Sequence, residues 1–288
     1  MAQVVPAPRT VEGGGFVVRR PFPTARLDMV DPFLLLDHMG PVDYGPGEAV
    51  GAPDHPHRGF ETVTYQLEGE WEHEDSTGTS GRLRAGDVQW MTAGAGVVHS
   101  ELPAARIREE GGRQHGIQLW VNLPRADKMS PPRYQEVRAD EIPVAEPAPG
   151  ARVRVVAGEV FGKRGPVETH SPIVYLHVVL EPGAAVEIPI PDGERAMAYV
   201  IDGDGIFDGG GNAVGEANLV LFGTDEGAVR VAAAPDATRP LSALVLGGAP
   251  LREPVARYGP FVMNTRDELV RAVEDYQSGA MGRIAAPS

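Results

Sequence analysis

The stretch DHPHRGFETVTYQLEGE, residues 54–70, places His55 and His57 one residue apart at the head of an alternating apolar run. On a helix, positions i and i+2 point to nearly opposite sides, whereas on a strand they share a face. The two imidazoles therefore converge only if the chain here is extended, and the stretch reads as sheet. Glu61, four residues beyond His57, keeps the same parity. Downstream, GVVHSELP (96–103) brings a second i, i+2 pair of donors, His99 and Glu101. The candidate ligand set is His55, His57, His99 and either Glu101 or Glu61. Three imidazoles with one carboxylate suit a borderline divalent cation such as Fe, Mn, Ni, Cu or Zn, and disfavour Ca or Mg. Around an octahedral ion, four protein ligands leave two positions for water, O₂ or a chelating substrate. Around tetrahedral zinc the same four close the site.

Outward from this stretch the chain keeps the same character. Its 288 residues include 36 glycines and 27 prolines, spread between apolar segments such as DPFLLLDHMG (31–40), GIQLWVNLP (116–124), PIVYLHVVLEPG (172–183) and LSALVLGG (241–248). Short apolar segments separated by turn residues predict an antiparallel barrel or sandwich. Only the end reads as helix. TRDELVRAVEDYQSG (265–279) offers Thr265 as N-cap, Glu268 three residues later, and Leu269, Val270, Val273 and Tyr276 on one stripe.

Net charge is −14 and basic residues are not clustered, which excludes a counterion-release footprint on nucleic acid. With no cysteine, disulfides, thiolate nucleophiles and cysteine metal sites are excluded, and a reducing compartment fits. The N-terminal stretch lacks the apolar core of a signal peptide, and no run approaches the roughly 18 apolar residues of a membrane span. The expectation is a soluble cytoplasmic protein.

The two halves echo each other. ETVTYQLEGE (61–70) matches RAMAYVIDGD (195–204), and RAGDVQWMTAGAG (84–96) matches AVGEANLVLFGTDEG (213–227), which aligns Gly69 with Gly203, Gly86 with Gly215 and Gly94 with Gly223. This predicts two similar β-barrels in tandem, over 1–130 and 131–288. Pro131-Pro132 and EIPVAEPAPG (141–150) read as the linker. Through the alignment, the positions of His55, His57, Glu61, His99 and Glu101 become Pro189, Pro191, Arg195, Ala228 and Arg230. The second barrel is therefore expected to hold no metal.

Gly51, His55, His57, Glu61 and Gly69, followed by Gly86, Gly96 and His99, resemble the cupin pattern. More narrowly, DPFLLLDHMGP, HPHRGFETVTYQLEG, GDVQWMTAGAGVVHSE, QLWVNLP and GPFVMNT, spread over almost the whole chain, resemble the pirin family. The resemblance implies an all-β fold of two tandem cupin (jelly-roll) barrels with a short C-terminal helix. It implies His55, His57, His99 and Glu101 as ligands of one divalent metal, Fe(2+) first, with Zn, Mn, Ni or Cu as alternatives. Typical cupins use the glutamate of the first block, here Glu61. The family rather than the spacing thus assigns Glu101, and leaves Glu61 as a partner of a ligand or its water. Pirins are associated with quercetin 2,3-dioxygenase activity, which implies a small aromatic or enol substrate and O₂, with Glu101 as base for the enolic proton. They are also described as iron-dependent partners of transcription factors or metabolic enzymes. That implies, alternatively, a redox-sensing interaction protein whose acidic surface suits a basic protein partner. Neither reading implies direct nucleic-acid or membrane contact, and a monomer is expected.

Other residues carry plainer expectations. His38, His73, His115, His170 and His177 read as hydrogen-bonded or exposed histidines, with His115 and Gln118 approaching a strand that borders the pocket. Arg58 lies between ligand-facing positions and should turn away into an ion pair. Trp90, Met91 and Trp120 are expected in the core. Asp202, Asp204 and Asp208 lack the closing glutamate of a calcium loop and read as a solvated turn. The glycine triplets lack the strand-to-helix context of phosphate binding.

Overall fold

A computed structural model describes residues 3–223 and 227–284; residues 224–226 of the second-half segment quoted above lie outside it. The alternating segments form antiparallel strands, and the described residues include two helices, Ala105–Glu110 and Arg266–Ser278. The chain divides into two compact units.

The first unit comprises residues 9–20, 33–139 and 251–284. Its larger sheet has seven strands in the order Arg133–Val137, Val88–Thr92, Phe60–Glu68, Gly112–Asn122, Phe33–Tyr44, Val17–Phe22 and Arg9–Val11. Its smaller sheet runs Ala52–His57, Val97–Pro103, Glu70–Asp75, Ser80–Arg84. The second unit, residues 3–8, 21–32 and 140–250, repeats the plan. A seven-stranded sheet is joined by a three-stranded one, Ala185–Pro189, Ala228–Ala233 and Gly205–Phe207. Inside it Val153, Leu176, Ile188, Ala198, Val220, Val231 and Val245 form part of one fully buried aliphatic cluster. Each such side chain beyond alanine contributes about 1.5–3 kcal/mol on leaving water.

Strand register supports the internal alignment at two pairs, although it sets Gln89 level with Val220, two residues from the alignment's Asn218. His55 stands opposite His99 in the first unit, and Pro189 stands opposite Ala228 in the second. Likewise Thr64 faces Gln118 while Ala198 faces Val245. Both units are cupin barrels, and the helix at the end is present.

Two expectations need correction. The division does not fall at 130/131. Strand Arg133–Val137 hydrogen-bonds to the edge strand Val88–Thr92 of the first unit, so the chain leaves that unit only after Ala139. The tail from 251 returns to the first unit, while Gln3–Pro6 pairs with Asn218–Leu221 in the second. In the second unit the edge strand Asn218–Leu221 is thus covered by a strand from the start of the chain, since unpaired edges are a liability. The stretch 141–150 also contains a short strand, Val144–Ala145, rather than linker alone.

The C-terminal helix begins as expected, with Thr265 Oγ1 accepting from the Glu268 N–H and the Glu268 carboxylate accepting from the Thr265 N–H. Its buried residues are Leu269 and Ala272, whereas Val270 is 50 % exposed and Tyr276 is 40 % exposed. A single alanine widened the true stripe to one side of the predicted one.

Lys128 fixes the C-terminal segment to the first unit. Its side chain is 1 % exposed, and Nζ donates to Gly59 O at 2.7 Å, Asn122 Oδ1 at 2.7 Å and Val262 O at 3.0 Å. Burial pushes its pKa down to about 8, although Glu253 and Glu268 favour the charge. Replacing Lys128 by Met leaves three buried oxygens without this donor. We expect a loss of about 2–4 kcal/mol in urea unfolding, together with faster amide exchange at Phe261–Met263. Unchanged exchange there would separate Lys128 from the anchoring of this segment.

Candidate metal centre

The site begins with one antiparallel ladder. Ala52–His57 pairs with Val97–Pro103 so that His55 lies opposite His99 and His57 opposite Val97. Because i and i+2 share a face, all three imidazoles project from the same side of this ladder. Their ring nitrogens lie within 4.8 Å of one another. His55 Nε2 is 3.0 Å from His57 Nε2 and 3.0 Å from His99 Nε2. His57 and His99 are buried, while His55 is partly exposed.

Second contacts set the tautomers. His55 Nδ1 donates to Pro53 O at 2.7 Å, and His57 Nδ1 donates to Pro260 O at 3.4 Å. A neutral imidazole that donates from Nδ1 presents a lone pair at Nε2. As neutral rings, His55 and His57 aim lone pairs at each other across 3.0 Å, an arrangement that calls for a positive charge between them. The Nδ1 of His99 is buried and has no hydrogen-bond partner among the described residues. Burial first, and then the neighbouring histidines, hold the pKa of His57 and of His99 well below the usual imidazole value. Both stay neutral, the form that ligates a metal. The donor set thus fits a divalent cation.

Glu101 stands beside this triad. Its Oε2 is 3.9 Å from His99 Nε2, and its Oε1 accepts from the Thr64 hydroxyl at 2.9 Å. Thr64 Oγ1 is also 3.0 Å from Gln118 Oε1. Glu61 behaves differently. Ala52–His57 and Phe60–Glu68 belong to different sheets, and Gly59 between them has φ +87°. A Cβ at Gly59 would fall 2.0 Å from Val262 O, so only glycine fits this turn. Parity is lost across it. Phe60 and Thr64 face the histidines' side, which puts Glu61 on the opposite face, where it accepts from Thr92 Oγ1 at 2.7 Å. The expected role of Glu61 as partner to a ligand is not the one it takes in the fold.

The other residues sort as follows. Arg58 is buried, donating from Nε to Ala95 O at 2.6 Å and pairing with Asp275 at 2.8 Å on the C-terminal helix. Trp90 and Met91 are core residues, but Trp120 is not. Trp120 is partly exposed and stacks beside Phe60 with centroids 4.4 Å apart, and its ring lies 5.2 Å from that of His57. His38 and His115 are not isolated, since their Nε2 atoms meet at 2.7 Å, and burial pushes the pKa of His38 down to about 3. Gln118 reaches the site through Thr64, whereas His115 turns to His38 and Glu68. His73 pairs with Glu136 at 2.7 Å and stacks on Tyr134. Thr64, Trp120 and Pro260 are the site residues that motif reading missed. Strand parity could have found the first two, but no local signal points to Pro260.

The histidines also set an acid limit. Unfolded, His57 and His99 titrate near pH 6.5; folded, they titrate well below it. Below about pH 6.5 the unfolded chain binds more protons, so stability falls as pH falls. For the metal-free protein we expect a loss approaching about 1.4 kcal/mol per pH unit per histidine. Buried His38 adds to the same slope; urea unfolding at about pH 7 and about pH 5.5 reads it, and His99→Asn should reduce it by roughly a third. An equal slope in that variant would remove His99 as a source.

With the geometry in hand, comparison with known proteins is direct. The pirin family profile matches residues 15–121, and that of the pirin C-terminal cupin domain matches residues 175–282. A pirin-like protein of Solanum lycopersicum is 44 % identical over 272 residues, covering 94 % of this chain and 89 % of its own length. A Pseudomonas aeruginosa protein named "Putative quercetin 2,3-dioxygenase" is 43 % identical over 270 residues, covering 93 % and 92 %. The crystal structure of a quercetin 2,3-dioxygenase from Acinetobacter baumannii superposes with a TM-score of 0.90 at 36 % identity over 98 % of both chains. In sequence, in strand order and over nearly its full length, this chain belongs to the pirin family of the cupin superfamily.

Proposed function

We propose that this pirin is a mononuclear metal dioxygenase of the quercetin 2,3-dioxygenase type, acting with O₂ on a flavonol or a similar enol. The observation that carries the reading is the meeting of His55 Nε2 with His57 Nε2 and with His99 Nε2, each at 3.0 Å, with the Glu101 carboxylate beside them. His55, His57, His99 and Glu101 would hold one divalent ion, which supplies Lewis acidity and a template for substrate. Three imidazoles with one carboxylate suit a borderline divalent cation, and the resemblance to the family puts Fe(2+) first. The relatives named for quercetin dioxygenase support the substrate class.

The protein's own residues do the rest. Glu101 accepts the proton of the enolic hydroxyl, as the carboxylate nearest the triad. Trp120, partly exposed and backed by the buried Phe60, supplies an aromatic face next to His57 for a flat ring system. His57→Ala should remove bound metal and quercetin-dependent O₂ uptake together. Glu101→Gln should slow uptake by about 10²-fold. The checks are metal analysis of protein purified without chelators and an oxygen electrode. Full uptake by the His57→Ala variant would end the enzyme reading.

One observation favours a second reading, an iron-dependent interaction protein. His57 and Arg58 are wired through Pro260 and Asp275 to the C-terminal segment, where Val270 and Tyr276 are exposed. Under that reading, pull-downs from aerobic and anaerobic lysates differ in captured protein, and alanine at Val270 and Tyr276 removes the difference. Identical captures would dismiss it.

A further inference from the structure

We infer that Thr64 is a positioning residue for the metal centre, holding one oxygen of Glu101 so that the other faces the histidines. The inference rests on the metal-site reading above and goes beyond the ligand set itself. Thr64 is 4 % exposed and lies in the larger sheet of the first unit, whereas Glu101 lies in the smaller one. Its hydroxyl crosses between the sheets and donates to Glu101 Oε1 at 2.9 Å, while Oε2 is the oxygen directed to His99 Nε2. A carboxylate on a strand has two free side-chain torsions before its terminal rotation. Pinning Oε1 removes that freedom and presents Glu101 through one oxygen.

The second barrel supplies the control. Across the larger sheet of the first unit, Asp37, Gln118, Thr64 and Gln89 are successive register partners. At the matching positions of the second unit the row is Leu176, Val245, Ala198 and Val220. All four of these belong to the aliphatic core cluster. The fold therefore closes well with hydrocarbon at every one of these positions, and the barrel's architecture does not require a polar row. The polar row occurs in the unit with the histidine triad, where Glu101 replaces the cation Arg230 of the other copy. Asp37, at the far end of the row, is itself held by Arg20, whose Nε donates to Oδ1 at 2.6 Å. Gln118 stands between the two, and its Oε1, 3.0 Å from the Thr64 hydroxyl, is the alternative acceptor for the proton that Thr64 gives to Glu101. Packing alone would be better served by valine at 64, which has the shape of threonine without a buried hydroxyl.

Cobalt(II) is a suitable probe because its visible spectrum reports ligand geometry and its affinity is measurable without turnover. Thr64→Val should weaken Co²⁺ binding by about 10-fold or more, the usual effect of losing a group that orients a ligand, and should alter the visible spectrum. Thr64→Ser, which keeps the hydroxyl, should retain both the parent spectrum and an affinity within about twofold. In a Glu101→Ala background, adding Thr64→Val should change neither affinity nor spectrum further, because the two residues act as one unit. Parent-like binding and spectrum in Thr64→Val, or an equal loss with and without Glu101, would overturn the assignment. Failure of the underlying site is read separately: Co²⁺ retained at parent affinity by His57→Ala would refute the histidine site itself.

Discussion

Two lone pairs facing each other at 3.0 Å repel, and nearly everything specific about this molecule follows from how that situation is set up. His55 and His57 donate from Nδ1 to backbone carbonyls, so as neutral rings neither can turn an N–H toward the other. His99 is brought level with His55 by strand register rather than by proximity in sequence. Burial then keeps His57 and His99 from relieving the repulsion by taking up protons. What remains is a concave cluster of three nitrogen donors, with a carboxylate at its margin and an aromatic wall next to it. A cation held there would resolve the repulsion that the fold has built.

The contrast between the two barrels shows what the chemistry costs structurally. One interior is a continuous aliphatic cluster; the other carries threonine, glutamine and aspartate on the same register positions. Functional sites are where local consistency is sacrificed, and a duplicated fold lets the two demands separate. The aliphatic copy contributes burial, and the polar copy contributes donors. Within the polar copy several departures from hydrocarbon are partnered: Arg20 for Asp37, Thr64 for Glu101, Thr92 for Glu61.

The fold class, the duplication and the three histidines were legible from the chain because each rests on short-range periodicity. An i, i+2 pair is meaningful only on a strand, and glycine spacing marked the turns. The errors came where the structure breaks periodicity or joins distant segments. Gly59 resets the phase between His57 and Glu61, so counting by twos across it placed Glu61 on the wrong face. Trp120 looked like core by composition, but its parity with Gln118 sets it beside the triad. The boundary at 130/131 missed strands that change unit, because edge pairing is decided by which sheet lacks a neighbour and not by local sequence. His38 and His115, far apart in the chain, meet only through sheet register.

The return of residues 251–284 to the first unit has a bearing on how the protein is made. Vectorial synthesis delivers His55, His57 and His99 early, but the carbonyl of Pro260 and the acceptor at Val262 emerge only after the whole of the second unit. Contacts of such long sequence separation form late, once loop-closure entropy has been met. The growing chain therefore holds an untethered His57 while the second unit is translated. Its donor geometry is completed only by a segment that leaves the ribosome after the second unit.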